Sequence, residues 1–516
     1  MRYPISIQTF KTIIEENYVY VDKTDLVYSL AQEHVCFLSR PRRFGKSLLI
    51  STLDSYFSGS KELFKGLKID SLETKWEKYP VFRIDFADGD YTDSDLLQKK
   101  LEEFVESWEA EYGRSEICTT LTGRFRYVLE SAEKQTGLRA VVLIDEYDKP
   151  LLDVMGTELE EKNRNILKGF YGTFKASDEH LRFVLLTGVT KFSQISVFSG
   201  FNQPNDISMD SKYDAICGIT EEELYSYFAE SITKMAKKKN CTEEEIKRLL
   251  KKQYDGYHFS EDMLDIYNPF SIINAFGKMK IYNYWYSSGT PTYLVKLLEE
   301  HNINMQKLTS GEYEREYFSD YRADTEEPLA MLYQSGYLTI KGYDDIDEVY
   351  KLDYPNDEVR KGFVALIANS YFRVKTGNEN WVLELNRMLR KGDLESVRDA
   401  FTAFLSSIPY EANKDERAKD FETHFSYTFY LIFRLLSCYT TLIEKQNSKG
   451  RADVIIESDD YIYIFEFKLD GSAEEALEQI ERQQYALPYL NDRRLIHRVG
   501  VNISSESRTV SEWLVK

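Results

Sequence analysis

The chain has 516 residues, of which 42% are hydrophobic and 29% are charged, and its formal net charge is −20 at pH 7. This length exceeds what one hydrophobic core usually supports, so several domains are expected. The acidic balance excludes general coating of nucleic acid, because such binding depends on neutralisation of phosphates by Lys and Arg. Any contact with nucleic acid must therefore be local.

The cysteines and the apolar stretches indicate the expected compartment. The five cysteines are scattered without a short-spaced pair, which argues against a zinc site or a disulfide framework and favours the reducing cytoplasm. The N-terminus lacks the apolar core of a signal peptide, and the most apolar long stretch, residues 425–443, contains Arg434 and several polar residues. We therefore expect a cytoplasmic protein without a membrane segment.

Short apolar runs alternate with longer amphipathic stretches in the first part of the chain. This alternation predicts an α/β domain with a parallel sheet over residues 1–217. The predicted strands are residues 35–39, 81–86, 140–144 and 182–187.

The pattern changes to helices near residue 218. A capping box at residues 220–223 predicts a helix that extends to Phe228. Residues 331–354 are typical of a helix end and two strands joined by a turn, and another helix follows, which suggests a winged-helix module. We predict a helical subdomain over 218–320 and a winged-helix-like or helical region over 321–400.

The last hundred residues return to mixed structure. A long helix is predicted from about Phe421, a hairpin over residues 452–469, and a further helix from Ser472. We expect this region, residues 401–516, to form a separate small α/β domain.

The run from Ser39 to Ser47, SRPRRFGKS, lies between a predicted strand and a predicted helix, as a phosphate-binding loop requires. Lys46 would bridge the β and γ phosphates, and the Ser47 hydroxyl would bind magnesium. Arg40 occupies the first glycine position of G-x-x-x-x-G-K-[ST], and an ordinary helix cap is the alternative for an isolated GKS. The predicted nucleotide-binding segment is Arg40, Pro41, Arg42, Arg43, Phe44, Gly45, Lys46, Ser47 and Leu48.

A second motif lies about a hundred residues downstream, where a buried strand ends in Asp145 and Glu146. Asp145 would hold magnesium through water, and Glu146 would orient and activate the attacking water, with a solvated strand end as the alternative. The strand that follows ends at Thr187, and either its hydroxyl or Lys191 would sense the γ-phosphate, unless it is a simple polar strand end. The motifs together predict an ATPase that uses ATP and Mg²⁺.

The C-terminal region carries a third motif, in which Asp453 is followed by Glu466 and Lys468. If Asp459 and Asp460 form a tight hairpin turn, Asp453 lies opposite Glu466, and Lys468 shares that face. Asp453 and Glu466 would bind magnesium, and Lys468 would position the nucleophile or stabilise charge during phosphodiester hydrolysis. A surface salt bridge on a hairpin is the alternative.

Neighbouring elements supply further candidates for this site. The helix that begins near Phe421 places Glu422 where it would add a water-mediated metal contact. The capping box at Ser472 opens a helix that presents Gln479 and Gln483 one turn apart, near enough to orient water or a backbone phosphate. The surrounding sequence lacks an obvious basic stripe, which weighs against cleavage.

Several stretches closely resemble bacterial AAA-ATPase-like proteins that carry a C-terminal PD-(D/E)XK nuclease domain, and the resemblance covers nearly the whole chain. It implies that the arginine at position 40 is a trait of the family, and that Asp453, Glu466, Lys468 and Gln479 match its nuclease motif. The stretches that carry the resemblance are YVDKTDLVYSL, FLSRPRRFGKSLLISTL, LIDEYDKPLL, FVLLTGVTKFSQISVFSGFN, ICGITEEEL and GRADVII...YIFEFKLDGSAEEALEQI.

Three further motifs share the resemblance but have no role that spacing or chemistry predicts. Asp22, Lys23 and Thr24 are candidates for the lining of the nucleotide pocket. The aromatic, turn-rich motifs at residues 254–257 and 267–270 are interpreted as helical core and loop.

The preferred hypothesis is an ATPase whose nucleotide state gates a magnesium-dependent nuclease that acts on nucleic acid, with DNA favoured over RNA. One alternative is a nucleotide switch that binds nucleic acid or a protein partner without cutting it. A scaffold with vestigial ATP hydrolysis is another, although Lys46, Ser47, Asp145 and Glu146 are all present. Self-association into a homo-oligomer is left open.

Overall fold

A computed structural model of the chain divides into two compact units, residues 1–359 and 360–516. The finer boundaries expected from the sequence stay predictions. The structure describes residues 1–192, 204–288, 308–309, 311–319, 328–372, 381–407, 441–443, 446–447, 450–451, 454–507 and 509–516.

The first unit is built on a five-stranded parallel sheet with the order β2-β3-β4-β1-β5. The strands β1 and β3 therefore lie on either side of β4. All residues of β3 are buried, as expected for a central strand covered on both faces. The strands are β1 (Val35–Ser39), β2 (Val81–Asp85), β3 (Ala140–Asp145), β4 (Leu181–Gly188) and β5 (Asn205–Asp206).

The parallel sheet predicted from the apolar runs is confirmed, with strand ends that differ by at most one residue. The short strand β5 had no apolar run to predict it. Amphipathic helices pack their apolar sides on the sheet, and the resulting core joins Phe82, Val105, Phe125, Ile144 and Phe170. The helices of this part are Phe10–Glu15, Thr24–Leu30, Lys46–Phe57, Leu96–Tyr112, Leu121–Thr136, Lys149–Leu152 and Glu158–Ala176, with 3₁₀ turns at Lys61–Phe64, Lys68–Ser71, Asp178–His180 and Ser211–Ile216.

The chain after residue 218 is largely helical and has a second core of its own. Thr220 and Glu223 form the predicted capping box, but the helix ends at Tyr227, and Phe228 leads directly into the next helix. A short antiparallel pair, β6 (Ile219–Thr220) and β7 (Ile266–Tyr267), brackets these helices. The helices are Glu221–Tyr227, Ala229–Lys239, Glu243–Tyr254, Pro269–Lys278, Tyr284–Ser287 and Arg315–Ser319.

The predicted order of helix, hairpin and helix is present at the end of the first unit. A helix at Leu329–Gln334 precedes the antiparallel strands β9 (Thr339–Asp344) and β10 (Val349–Asp353), and β8 (Glu312–Tyr313) pairs with β10. The helix Asp357–Phe372 then begins in the first unit and ends in the second. The assignment to a winged-helix module stays a prediction.

The second unit contains a mixed five-stranded sheet with the order β11-β14-β15-β16-β17, in which only the β15 and β16 pair is parallel. The predicted hairpin register is confirmed where it is described, since Val454 pairs with Phe465 around the turn at Asp459 and Asp460. The helices are Trp381–Lys391, Leu394–Ser407 and Ala473–Arg482, and a 3₁₀ turn spans Leu487–Tyr489. The strands are β11 (Thr441–Ile443), β12 (Gln446–Asn447), β13 (Gly450–Arg451), β14 (Val454–Glu457), β15 (Tyr461–Leu469), β16 (Leu495–Ser504) and β17 (Thr509–Val515).

Two of the predicted nuclease residues, Glu422 and Asp453, lie outside the described residues, as does the predicted helix from Phe421. Within the described part of the chain, none of the helices combines the length and apolar character that crossing a bilayer requires.

Candidate nucleotide site and candidate nuclease site

The phosphate loop connects the end of β1 with the start of the helix Lys46–Phe57. Gly45 caps this helix in the left-handed conformation, with φ of 99°, and Arg43 has a φ of 66°. Glycine adopts such angles readily, but for a residue with a side chain they are unfavourable. The loop therefore needs contacts from outside to hold its shape.

Lys46 is buried at the first position of this helix, and its ammonium group donates to the backbone carbonyls of Arg40, at 2.8 Å, and Pro41, at 3.1 Å. Burial lowers the pKa of Lys46, whereas the nearby carboxylates of Glu146, Asp145 and Asp148 raise it. A buried cation whose hydrogen bonds, among the described residues, go to neutral carbonyls is well suited to receive an anion such as a phosphate.

Asp145 ends strand β3 and is almost completely buried, at 1% exposure. Its Oδ1 accepts a hydrogen bond from the Thr187 hydroxyl at 2.7 Å and another from the Glu146 backbone N–H at 3.1 Å. The hydrogen bond from Thr187 joins two residues, Thr187 and Asp145, that the sequence placed at the ends of separate strands. Thr187 thus holds Asp145, which differs from the direct phosphate contact that was predicted for it. Lys191, the other candidate, forms an ion pair with Asp206 at 2.8 Å.

Glu146 follows Asp145 with a left-handed backbone, at φ of 52°, and its side chain is half-buried. Burial raises the pKa of this carboxyl group, and the charge of Lys46 opposes that rise. Left-handed residues other than glycine are often found at functional sites, where the surrounding structure holds them in place. The turn after β3 therefore presents Glu146 toward the loop that carries Lys46.

Asp148 was not among the residues predicted from the sequence, although it is the third acidic residue of the run DEYD. Asp148 is 1% exposed, and its Oδ2 accepts hydrogen bonds from the backbone N–H groups of Val189, at 2.9 Å, and Thr190, at 2.6 Å. Burial raises the pKa of Asp148 to about 6, against the opposing effects of Thr190 and Lys46. Asp148 thus fixes the segment that follows β4 against the end of β3.

A cavity of about 1450 Å³ lies over the phosphate loop. Its lining includes the charged residues Lys46, Glu146 and Asp148 together with apolar residues such as Ile219 and Phe270. Charged and apolar walls in one cavity suit a ligand that has both phosphates and a flat base. Of the predicted nucleotide-binding residues, those in the lining are Arg42, Arg43, Phe44, Gly45, Lys46, Ser47 and Leu48, whereas Arg40, Pro41, Asp145 and Thr187 lie outside it.

Arg40 is turned away from this cavity and is buried at 1% exposure. Its guanidinium group donates to the backbone carbonyls of Ser208, at 2.7 Å, and Tyr213, at 3.2 Å, as well as to that of Ser39 at 2.9 Å. The guanidinium carbon lies 4.0 Å from the centre of the Phe259 ring. These contacts assign Arg40 to the support of the loop, and the prediction that it binds the nucleotide is not supported by its position.

The motif at residues 22–24 has two separate roles. Asp22 accepts hydrogen bonds from the backbone and hydroxyl of Thr24, at 2.9 and 2.6 Å, and from the backbone of Lys68 at 2.8 Å. Lys23 lines the cavity and forms an ion pair of 2.5 Å with Glu223, the third residue of the helix Glu221–Tyr227 and the partner of Thr220 in its capping box. Of these three residues, only Lys23 lines the cavity over the phosphate loop.

The candidate nuclease site is centred on strand β15. Glu466 is 2% exposed, and its Oε1 lies 3.5 Å from the ammonium group of Lys468 on the same face of the strand. Lys468 also donates to the side-chain carbonyl of Gln479 at 2.6 Å. The structure therefore brings together three of the predicted residues, one of them from the helix Ala473–Arg482.

Gly500 explains how this helix comes so close to the site. It pairs with Glu466 in the parallel register of β15 and β16, so both residues face the same side of the sheet. A Cβ atom at Gly500 would lie 2.2 Å from the carbonyl oxygen of Ala473, so a larger residue would push the first turn of the helix away. Gln483 is the C-cap of the helix, one turn beyond Gln479.

The metal sites predicted from the sequence differ in what the described residues provide. In the cavity of the first unit, the Ser47 hydroxyl and the carboxylates of Glu146 and Asp148 are oxygen donors, which fit the ligand preference of Mg²⁺. In the second unit, Glu466 supplies a carboxylate, and its predicted partners Asp453 and Glu422 are outside the described residues. Among the residues that the structure describes, no group of three His, Cys, Asp or Glu side chains is arranged to hold a metal.

Comparisons with known proteins agree with both regions. Residues 4–198 match a family model for a predicted AAA-ATPase, and residues 420–513 match a model for the PD-(D/E)XK nuclease superfamily. A protein of Azotobacter chroococcum mcd 1, called an uncharacterized protein in the vnfD 5' region, is 34% identical over 522 residues. That similarity covers 99% of this chain and 98% of the Azotobacter protein.

Proposed function

Because the chain belongs to the AAA-ATPase-like family with a C-terminal PD-(D/E)XK nuclease domain, we propose that its first unit binds and hydrolyses ATP and that its second unit is a nuclease. The observation that carries the ATPase proposal is the meeting of Lys46, Ser47, Glu146 and Asp148 in one cavity at the carboxyl edge of a parallel sheet. Ligands of such sheets bind at this edge.

Different residues at the cavity would have different roles in ATP hydrolysis. Lys46 would exchange its two backbone carbonyl partners for the β and γ phosphates, because a charged acceptor makes the stronger hydrogen bond. The side chain of Glu146, in its deprotonated form, would accept a proton from the attacking water. Asp145, held by Thr187, would fix the backbone that presents Glu146.

Magnesium would be held by the Ser47 hydroxyl and, through water, by Asp145, and it would neutralise charge on the phosphates. We also expect the protein to act in the cytoplasm, since Cys36, Cys118, Cys217 and Cys241 are free thiols.

The ATPase proposal predicts different losses for two variants. Lys46→Ala should abolish nucleotide binding, because it removes the charge on the phosphates, whereas Glu146→Gln should bind ATP but not hydrolyse it. The measurements are phosphate release and binding of a fluorescent ATP analogue with Mg²⁺. Lys65→Ala and Glu62→Gln, which change exposed residues of the same types, serve as matched controls. Unchanged turnover in both site variants would contradict the assignment.

The nuclease proposal rests on Glu466, Lys468 and Gln479, which lie together in the second unit. Lys468 would position the water or stabilise charge on the phosphodiester. Asp453 and Glu466 would hold magnesium, whose chemistry would be to activate that water. We propose DNA as the substrate and ATP as the signal that gates cleavage.

Cleavage of DNA and of RNA should be measured with Mg²⁺ and with ATP, ADP or no nucleotide. Asp453→Ala and Lys468→Ala should each remove cleavage and leave ATP turnover largely unchanged, because the two sites use separate residues. Asp459→Ala, at the exposed turn of the same hairpin, is the matched control. Cleavage that persists in the double variant Asp453→Ala, Lys468→Ala would come from another site. Binding of nucleic acid without cleavage by the wild-type protein would favour the switch.

A further inference from the structure

The phosphate loop is held from outside by residues of the helical region that follows the sheet. Each of the four consecutive loop residues from Pro41 to Phe44 contacts a different part of that region. Pro41 packs against Gly336, the Arg42 carbonyl accepts from Trp285, Arg43 lies over the Phe270 ring, and Phe44 packs against Tyr257. Arg40, directly before them, donates to the carbonyls of Ser208 and Tyr213 in the segment between β5 and the helical region. The aromatic motifs at residues 254–257 and 267–270 therefore support the loop as well as the helical core.

Trp285 contacts the loop directly before Arg43, the loop residue that has a side chain and a positive φ. Its indole Nε1 donates to the backbone carbonyl of Arg42 at 2.9 Å, directly before Arg43 with its φ of 66°. Trp285 is 5% exposed, and its ring packs edge-on against Tyr337 at 5.2 Å. The hydrogen bond thus fixes the peptide between Arg42 and Arg43 at the point where the backbone becomes unfavourable.

Glu358 in turn fixes Trp285. The carboxylate of Glu358 is 1% exposed, and its Oε1 accepts a hydrogen bond from the backbone N–H of Trp285 at 2.7 Å. Its Oε2 accepts from the hydroxyl of Ser271 at 2.7 Å. Glu358 lies in the first turn of the helix Asp357–Phe372, so a chain of hydrogen bonds connects this helix with the phosphate loop.

We propose that Trp285 and Glu358 are positioning residues for the phosphate loop, and that a triphosphate in the loop is sensed through them at the start of the helix Asp357–Phe372. This inference rests on the proposed ATP-binding function. The alternative is that Trp285 only fills space in the core. The ring would serve that purpose without its N–H group, so the two roles can be separated by removing the donor and keeping an aromatic ring.

Trp285→Phe removes the donor to Arg42 and keeps a ring against Tyr337. Affinity for a fluorescent ATP analogue with Mg²⁺, and KM for ATP, should weaken about fivefold, the equivalent of one hydrogen bond of typical net strength. The kcat should stay within about twofold, because the variant does not alter Lys46 or Glu146. Trp76→Phe is the matched control, since the Trp76 indole N–H has no hydrogen-bond partner among the described residues and its ring also packs on aromatic neighbours.

Glu358→Gln provides the conservative variant, because its amide oxygen still accepts from the Trp285 backbone and its amide nitrogen donates to Ser271. It should bind the analogue like the wild type, whereas Glu358→Leu should bind as weakly as Trp285→Phe. Amide hydrogen exchange of residues 42–46, measured without nucleotide, should be faster in Trp285→Phe and Glu358→Leu than in the wild type and in Glu358→Gln.

These measurements separate the two proposals. A wild-type protein that binds no ATP analogue would refute the ATPase proposal, and the exchange rates would still test whether Trp285 holds the loop. A Trp285→Phe protein with wild-type affinity and wild-type exchange at residues 42–46 would overturn the inference while ATP binding stands.

Discussion

Replacing Asp148 by Ala should destabilise the first unit by roughly 2 to 6 kcal/mol, whereas Asp148→Asn should cost far less at neutral pH. One carboxylate oxygen of Asp148 accepts from the backbone N–H groups of Val189 and Thr190 in a buried position. Ala leaves both groups without an acceptor, and each unsatisfied buried group costs about 1–3 kcal/mol. The amide oxygen of Asn can accept from the same two N–H groups.

The pH dependence of this difference has a definite sign. Burial raises the pKa of Asp148 from an ordinary value of 3.8 to about 6, so the folded protein binds this proton more tightly than the unfolded chain. The resulting stabilisation is fully present below pH 3.8 and is lost as the pH rises through about 6. A difference of this size corresponds to about 3 kcal/mol. Since Asn does not titrate, Asp148→Asn should gain about that much relative to the wild type between pH 4 and pH 7.

Chemical unfolding at pH 4.5, 6 and 8 would measure these differences for the wild type, Asp148→Asn and Asp148→Ala, and exchange of the Val189 and Thr190 amides would locate them. Glu179→Gln, which changes a side chain that is 81% exposed, should follow the wild type at every pH. If Asp148→Ala were as stable as Asp148→Asn, the two backbone hydrogen bonds would not stabilise the fold. A constant gap between Asp148→Asn and the wild type across this range would refute the raised pKa.

Two further predictions concern Glu146 and Arg40. Burial raises the pKa of Glu146, and only the deprotonated carboxylate accepts a proton. The acid limb of the pH profile of kcat for ATP should therefore lie above the ordinary glutamate value of 4.5. A limb at or below that value would contradict the role of Glu146 as the base. Arg40→Ala should destabilise the first unit by about 3 kcal/mol or more, because the carbonyls of Ser208 and Tyr213 lose a charged donor, and an unchanged unfolding midpoint would show that these contacts contribute little.

The features that the sequence predicted correctly are local ones. Apolar runs predicted the strands within one residue, since a buried parallel strand must be apolar on both faces. The capping boxes at Thr220 and Ser472 form as expected, because their partners lie three residues apart. The register of the hairpin followed from the two-residue turn at Asp459 and Asp460.

The features that the sequence did not predict depend on partners far away along the chain. Trp285 meets the carbonyl of Arg42 across 243 residues, and Lys23 meets Glu223 across 200 residues. No spacing rule connects such pairs. Asp148 was available in the motif DEYD, but its role depends on the backbone of Val189 and Thr190, in the segment that follows β4. Neighbouring charges alone could not reveal it.

The arginine at position 40 is explained by the distribution of strain in the phosphate loop. Glycine is favoured where the backbone takes a positive φ, and in this loop those positions are 43 and 45, of which only 45 is a glycine; position 40 is not among them. Position 40 is therefore free to carry a side chain, and its guanidinium group ties the start of the loop to the carbonyls of Ser208 and Tyr213. Trp285 holds the middle of the loop through its hydrogen bond to the Arg42 carbonyl. The shape of the loop therefore depends on contacts with residues far away along the chain. Because residues of the helical region contact this loop, we expect a change in that region to alter the loop, and the proposed gating by ATP would have this physical basis.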